Sequence, residues 1–66
     1  MDLIEARKRE RYTQQQVADI MGISRPTYAR MEKHPGGISV DDARKLARIF
    51  RVDVQDIFFT RDDSNL

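Results

Sequence analysis

No cysteine occurs in this chain, so neither a disulfide framework nor a thiolate zinc site can brace it. That absence is compatible with a reducing compartment. No apolar run approaches the ~20 residues of a membrane span, and no signal-peptide pattern opens the sequence, so a cytoplasmic location is expected. His34 is the single histidine, and nothing pairs a nucleophile with a base. Asp41-Asp42 and Asp62-Asp63 fall at a helix start and in a tail. No glycine-rich phosphate loop follows a strand, and no strand, repeat or linker signal stands out. The expectation is therefore no enzyme, no metal site, no cofactor and no small-molecule ligand.

What is present fits one small helical domain. A chain of 66 residues buries only about 60% of the surface its unfolded form exposes. Small folds without covalent braces rely on compact helix packing or on oligomerisation, so a homodimer is expected on stability grounds. The net charge of +1 hides a division. Residues 1–51 carry eleven Lys/Arg against seven Asp/Glu, and residues 52–66 carry Arg61 against four aspartates. One basic face and one acidic end suit a binder of phosphate; a solvated surface with an acidic tail reads the same way from charge alone.

Helix signals run the length of the chain. Asp2 can cap a first helix to Arg9 or Glu10, with Leu3, Ala6 and Arg7 on one face. Its basic end, Lys8, Arg9 and Arg11, suits the helix dipole. Thr13 opens a second helix, with Gln16 completing a capping box and Val17, Ala18 and Met21 as the buried stripe. Gly22 stops it in a left-handed turn. Ser24 caps a third helix, and Pro26 in its first turn marks the start. Tyr28 and Met31 point inward there, leaving Arg25, Pro26, Thr27, Ala29 and Arg30 outward. His34-Pro35-Gly36-Gly37 reads as a loop. Ser39 caps a fourth helix with Val40, Ala43, Leu46, Ala47 and Phe50 as its core face. A short fifth, residues 54–59, packs through Val54, Ile57 and Phe58. Ile20, Ile49 and Phe59 are apolar yet partly exposed and are candidates for a dimer contact.

Two short helices joined across Met21-Gly22-Ile23-Ser24 have the layout of a helix-turn-helix, whose second helix lies in the DNA major groove. The stretches YTQQQVADIMGISRPTYARMEK and SVDDARKLARIFRVDVQDIF resemble the lambda-repressor-like (Cro and phage repressor, Xre-type) family over residues 3–59. The resemblance implies an all-α fold, a compact five-helix bundle whose helix-turn-helix is made by helices 2 and 3. A single domain is expected at 1–59, with a short polar C-terminal tail at 60–66. Arg11 and Arg51 stand where the family usually has glycine after a helix, so each must turn left-handed or the helix end differs. Ile38 replaces the usual proline, and the loop before it is atypical.

The resemblance also assigns roles. Gln14, with Thr13 and Gln15 beside it, is expected to bind a backbone phosphate, as the free N–H groups of a helix start allow. Arg25, Pro26, Thr27, Ala29 and Arg30 match the base-reading positions; arginine bidentate to guanine is the commonest specific contact, although either arginine can meet phosphate instead. Lys33, the N–H groups of Gly36, Gly37 and Ile38, and the Ser39 hydroxyl are expected to form a second phosphate clamp. Arg7 and Glu32 match a structural ion pair between the first helix and the end of the third.

The function expected is a sequence-specific transcriptional regulator of double-stranded DNA, a repressor of phage Cro type binding a palindromic operator as a dimer. The alternatives are the antitoxin of a toxin–antitoxin pair, which the loop resembles, and a restriction–modification controller. The length leaves little room for a toxin-binding segment.

Overall fold

The computed structural model describes residues 1–58. In chain order it forms α1 (Leu3–Arg9), α2 (Gln14–Met21), α3 (Arg25–Lys33), a turn of 3-10 helix (Pro35–Gly37), α4 (Val40–Phe50) and α5 (Val54–Phe58). Among the described residues there is no strand, and the fold is the all-α bundle of five α-helices that the sequence predicts. The expected end of α5 at Phe59 and the tail 60–66 lie outside the described residues.

Four helices start alike. The side chains of Asp2, Thr13, Ser24 and Ser39 each accept the N–H three residues on, satisfying one of the donors a helix start leaves open. At Thr13 the bond is returned: Gln16 Oε1 accepts the Thr13 N–H at 2.8 Å. Asp2 has the same arrangement with Glu5, a capping box not anticipated from sequence.

Three helices also end alike. Arg11, Gly22 and Arg51 take positive φ of 63°, 73° and 60°. The residue after each sends its N–H back five positions: Tyr12 to Arg7 at 3.2 Å, Ile23 to Ala18 at 3.0 Å and Val52 to Ala47 at 3.0 Å. Those residues are apolar and pack on the core, completing the hydrophobic contact of a Schellman ending. The two arginines thus do adopt the left-handed turn. α3 ends differently: the His34 N–H reaches Arg30 O at 2.8 Å, and residues 35–37 coil into 3-10 helix where the sequence suggests open loop.

The core is one cluster of Leu3, Ala6, Val17, Ala18, Tyr28, Leu46 and Phe50, with Met21, Met31, Ile57 and Phe58 packed on it. Tyr12, unassigned in the sequence reading, tilts against Phe50 with ring centroids 6.4 Å apart, within the range favoured by aromatic pairs. Val40 departs from expectation and is 60% exposed. Its spacing continues the stripe of Ala43, Leu46, Ala47 and Phe50, but it stands in the first turn of α4, where the period persists and the cover does not. Ile20 is 55% exposed, and with Met21 and Ile49 it lines a groove edged by Lys45 and Arg48. Among the described residues no helix is long and apolar enough to cross a membrane.

Candidate nucleic-acid interface

The start of α3 is rigidly specified. Ser24 Oγ accepts the Thr27 N–H at 3.3 Å and shares a 2.8 Å hydrogen bond with Thr27 Oγ1. Pro26 lies in the first turn, where its lack of an N–H has no penalty. Arg25, Pro26 and Arg30 are exposed, whereas Thr27 and Ala29 are half-buried. The residue spacing predicts all five outward. At 3.6 residues per turn, Thr27 and Ala29 flank the buried Tyr28 and so sit on the margins of the outer face rather than at its centre.

Two depressions border that face. One gathers Thr13, Gln14 and Gln15 from the start of α2 with Arg7, Tyr12 and Arg25. It unites the first expected phosphate set with a base-reading candidate. The other, between α3 and the start of α4, brings Arg30 and Thr27 beside Gly37, Ile38 and Ser39. It also contains His34 and Asp42; the acid was not foreseen there and disfavours a phosphate close by. Lys33 and Gly36 are exposed but line neither depression.

The donors differ from expectation in detail. Within the described residues, the N–H groups of Gln14 and Gln15 find no acceptor, as a helix start allows. The Gln15 amide instead donates to Asp19 Oδ1 at 2.8 Å, an i to i+4 bond along α2. In the second clamp the N–H groups of Gly37 and Ile38 are already donated, to His34 O at 3.0 Å and Pro35 O at 3.2 Å. The 3-10 turn consumes them, so they are not the free donors that an open loop would offer. Gly36 and Gly37 have ordinary negative φ, and a Cβ at either would meet nothing within 4 Å. Among the described residues nothing requires glycine there, and both glycines are exposed.

Behind the interface lies a polar cluster. Arg7 Nε donates to Glu32 Oε2 at 2.6 Å and Arg7 Nη1 to the Tyr12 carbonyl at 3.0 Å. The Glu32 side chain is only 4% exposed. Its other oxygen, Oε1, accepts from Gln14 Nε2 at 2.8 Å, a contact between residues eighteen apart that no local pattern reveals. Burial pushes the Glu32 carboxyl upward, but the hydrogen bonds from Arg7 and Gln14 outweigh it and hold it below the usual range. The hydrogen bond to Glu32 raises Arg7 further, against the opposing effect of burial. The Tyr28 hydroxyl is buried beside this pair with no partner in hydrogen-bonding geometry, and burial raises its pKa above the ordinary value. An uncharged Tyr28 and a charged Arg7–Glu32 pair follow at neutral pH. No cluster of His, Cys, Asp or Glu among the described residues is arranged to hold a metal.

A capped helix with two exposed arginines, following a glycine-ended partner helix across a three-residue turn, is the substance of a helix-turn-helix. Residues 3–57 match the family model described as helix-turn-helix, and the chain belongs to that family, the lambda-repressor-like, Xre-type proteins. These are DNA-binding transcriptional regulators acting on double-stranded DNA, and not a family of enzymes. No curated protein and no solved structure matches the chain.

Proposed function

We propose that this protein is a repressor of phage Cro type that binds a palindromic operator as a homodimer in the cytoplasm. The observation carrying the reading is the outer face of α3, where Arg25 and Arg30 stand exposed on a helix whose start is held by the Ser24 cap and Pro26. Arg30 reads a base, and Pro26, Thr27 and Ala29 form the apolar surface around it. Arg25 shares its depression with the start of α2 and works at the boundary between base and phosphate.

Two phosphate contacts seat the helix. The first is the start of α2, with Thr13, Gln14 and Gln15; its unpartnered N–H groups and positive dipole end suit an anion. The second is Lys33 with the Gly36 N–H and Ser39, and the turn through Gly37 and Ile38 holds them in place. The DNA-binding domain spans residues 1–59, followed by a short polar tail at 60–66. Two copies related by a two-fold axis present their α3 helices about 34–36 Å apart, one turn of the duplex.

Selection of bound duplexes from a random pool, read together with the molecular mass in solution, tests this directly. The expected result is an inverted repeat with half-sites one turn apart and a mass of two chains. Recovery of no preferred duplex, or of a single unrepeated half-site bound by one chain, overturns it.

A further inference from the structure

We infer that Glu32 is a positioning residue for DNA binding: its Oε1 holds the Gln14 amide so that one N–H remains aimed at the duplex backbone. This rests on the phosphate-binding role proposed for Gln14. The argument begins with the inventory of donors. An ionised carboxylate only accepts hydrogen bonds, so the group that Gln14 turns toward Glu32 must be its NH₂ and not its carbonyl. That end of Gln14 has two N–H bonds. One goes to Glu32 at 2.8 Å, and the other has no acceptor among the described residues, which leaves it for one on a bound duplex.

A free glutamine at a helix start presents either its carbonyl or its amide, and the carbonyl repels phosphate. Glu32 removes that choice. The carboxylate is itself immobilised, since Arg7 Nε takes Oε2 at 2.6 Å and the side chain is almost fully buried. Arg7 is fixed in turn by the Tyr12 carbonyl at 3.0 Å. An ion pair usually regarded as a brace between α1 and α3 therefore extends to the surface, ending on a residue of the first phosphate contact. Gln15, its neighbour, is tied to the exposed Asp19 instead and gains no such fixation from the core.

The test is a double-mutant cycle on the full chain, read in two ways. Affinity for a duplex recovered by selection, and thermal stability, are measured for the wild type, Glu32→Gln, Gln14→Ala and the double variant, at a temperature where all are folded. Each single change should weaken binding by about tenfold, the size of one hydrogen bond to a charged group. The double variant should lose little more than either single one, because both remove the same contact. The stability loss from Glu32→Gln should persist in the Gln14→Ala background, which a purely structural role would also show; the affinity losses, under that role, would multiply. Multiplying losses overturn the positioning role and leave the phosphate contact standing. An unchanged affinity in Gln14→Ala overturns the phosphate contact and the positioning with it. Should Glu32→Gln fail to fold, the wild type decides. In its amide spectrum one Gln14 side-chain proton should exchange slowly with solvent, and two fast-exchanging protons would overturn the inference.

Discussion

The two seams that hold α1 to the rest of the molecule are built on opposite principles. Toward α3 the contact is polar and directional: Arg7, Glu32 and Gln14 are joined by bonds of 2.6 Å and 2.8 Å. Toward α4 it is apolar, with Leu3, Ala6, Leu46 and Phe50 buried together. Area alone stabilises the second seam and tolerates reshaping. The first is directional, and it lies behind the outer face of α3 that is proposed to meet DNA. A buried ion pair contributes little net stability compared with well-packed apolar groups, so its presence at that seam is better explained by geometry than by strength.

Glu32→Ala should produce the largest loss, about 3–5 kcal/mol, because it leaves the Arg7 guanidinium buried and unpaired. Denaturant unfolding will measure it. The comparison is sharpened by replacing both members, Arg7→Met with Glu32→Leu. That double variant should recover most of the stability and still bind DNA poorly. Recovery of full DNA affinity along with stability would mean that the polar seam has no orienting role. Phe50→Ala, on the apolar seam, should cost a similar ~3–5 kcal/mol as a core truncation, with no second substitution in the ion pair able to repair it.

Acid separates the seams next. The Glu32 carboxyl is held below its ordinary range in the fold, so between its folded and unfolded pKa the unfolded chain binds more protons. The stability it contributes is fully present above the unfolded value, about 4.3, and is lost as pH falls through the folded one. Wild type and Phe50→Ala should both lose stability on acidification below about pH 4.5, whereas Glu32→Gln should show a shallower decline. Equal slopes in all three would remove Glu32 from the account of acid sensitivity.

At the interface itself, Arg30→Ala should weaken binding to the best duplex by roughly 1–3 kcal/mol and flatten the preference among single-base variants. Gln14→Ala should weaken all of them alike, with a smaller dependence on sequence. A competition assay across a panel of variant duplexes distinguishes the two patterns. Uniform loss in Arg30→Ala would move that arginine from base to phosphate.

What was legible in the chain were the features that depend on near neighbours. Thr13 with Gln16, Ser24 before Pro26, Ser39 before Asp42 and the stop at Gly22 are local rules, and each appears where the residues indicate. The helical period correctly placed Leu3, Val17, Tyr28, Leu46 and Phe50 inside. Val40 was misplaced because a period says which residues share a face and not where the covering element stops. The Gln14–Glu32 bond, the Asp42 carboxylate in the α3–α4 depression and the Tyr12–Phe50 contact were invisible for another reason. Each joins elements whose relative placement is decided only when the whole core packs. The sequence suggests free donors at Gly37 and Ile38 because a loop leaves its N–H groups open; a 3-10 turn does not.

The smallest expected effect lies at the helix ends, where the same geometry is reached with different residues. Gly22 takes φ 73° without strain, while Arg11 at 63° and Arg51 at 60° hold a Cβ against the carbonyl oxygen. That conformation costs an L-residue about 1–2 kcal/mol. Two effects oppose the gain from glycine. An unfolded chain with glycine has more freedom to lose, and a cation near a helix C-terminus is worth about 0.3–1 kcal/mol. Arg51→Gly and Arg11→Gly should therefore each stabilise the fold by at most about 1 kcal/mol, a rise in Tm of no more than a few degrees for a domain of this size. Gly22→Ala should change Tm by a similar amount in the opposite direction. If Arg51→Gly instead lowers Tm while Gly22→Ala behaves as expected, the arginine side chain contributes a contact worth more than the strain it imposes, and the three endings are alike in shape but not in energetics.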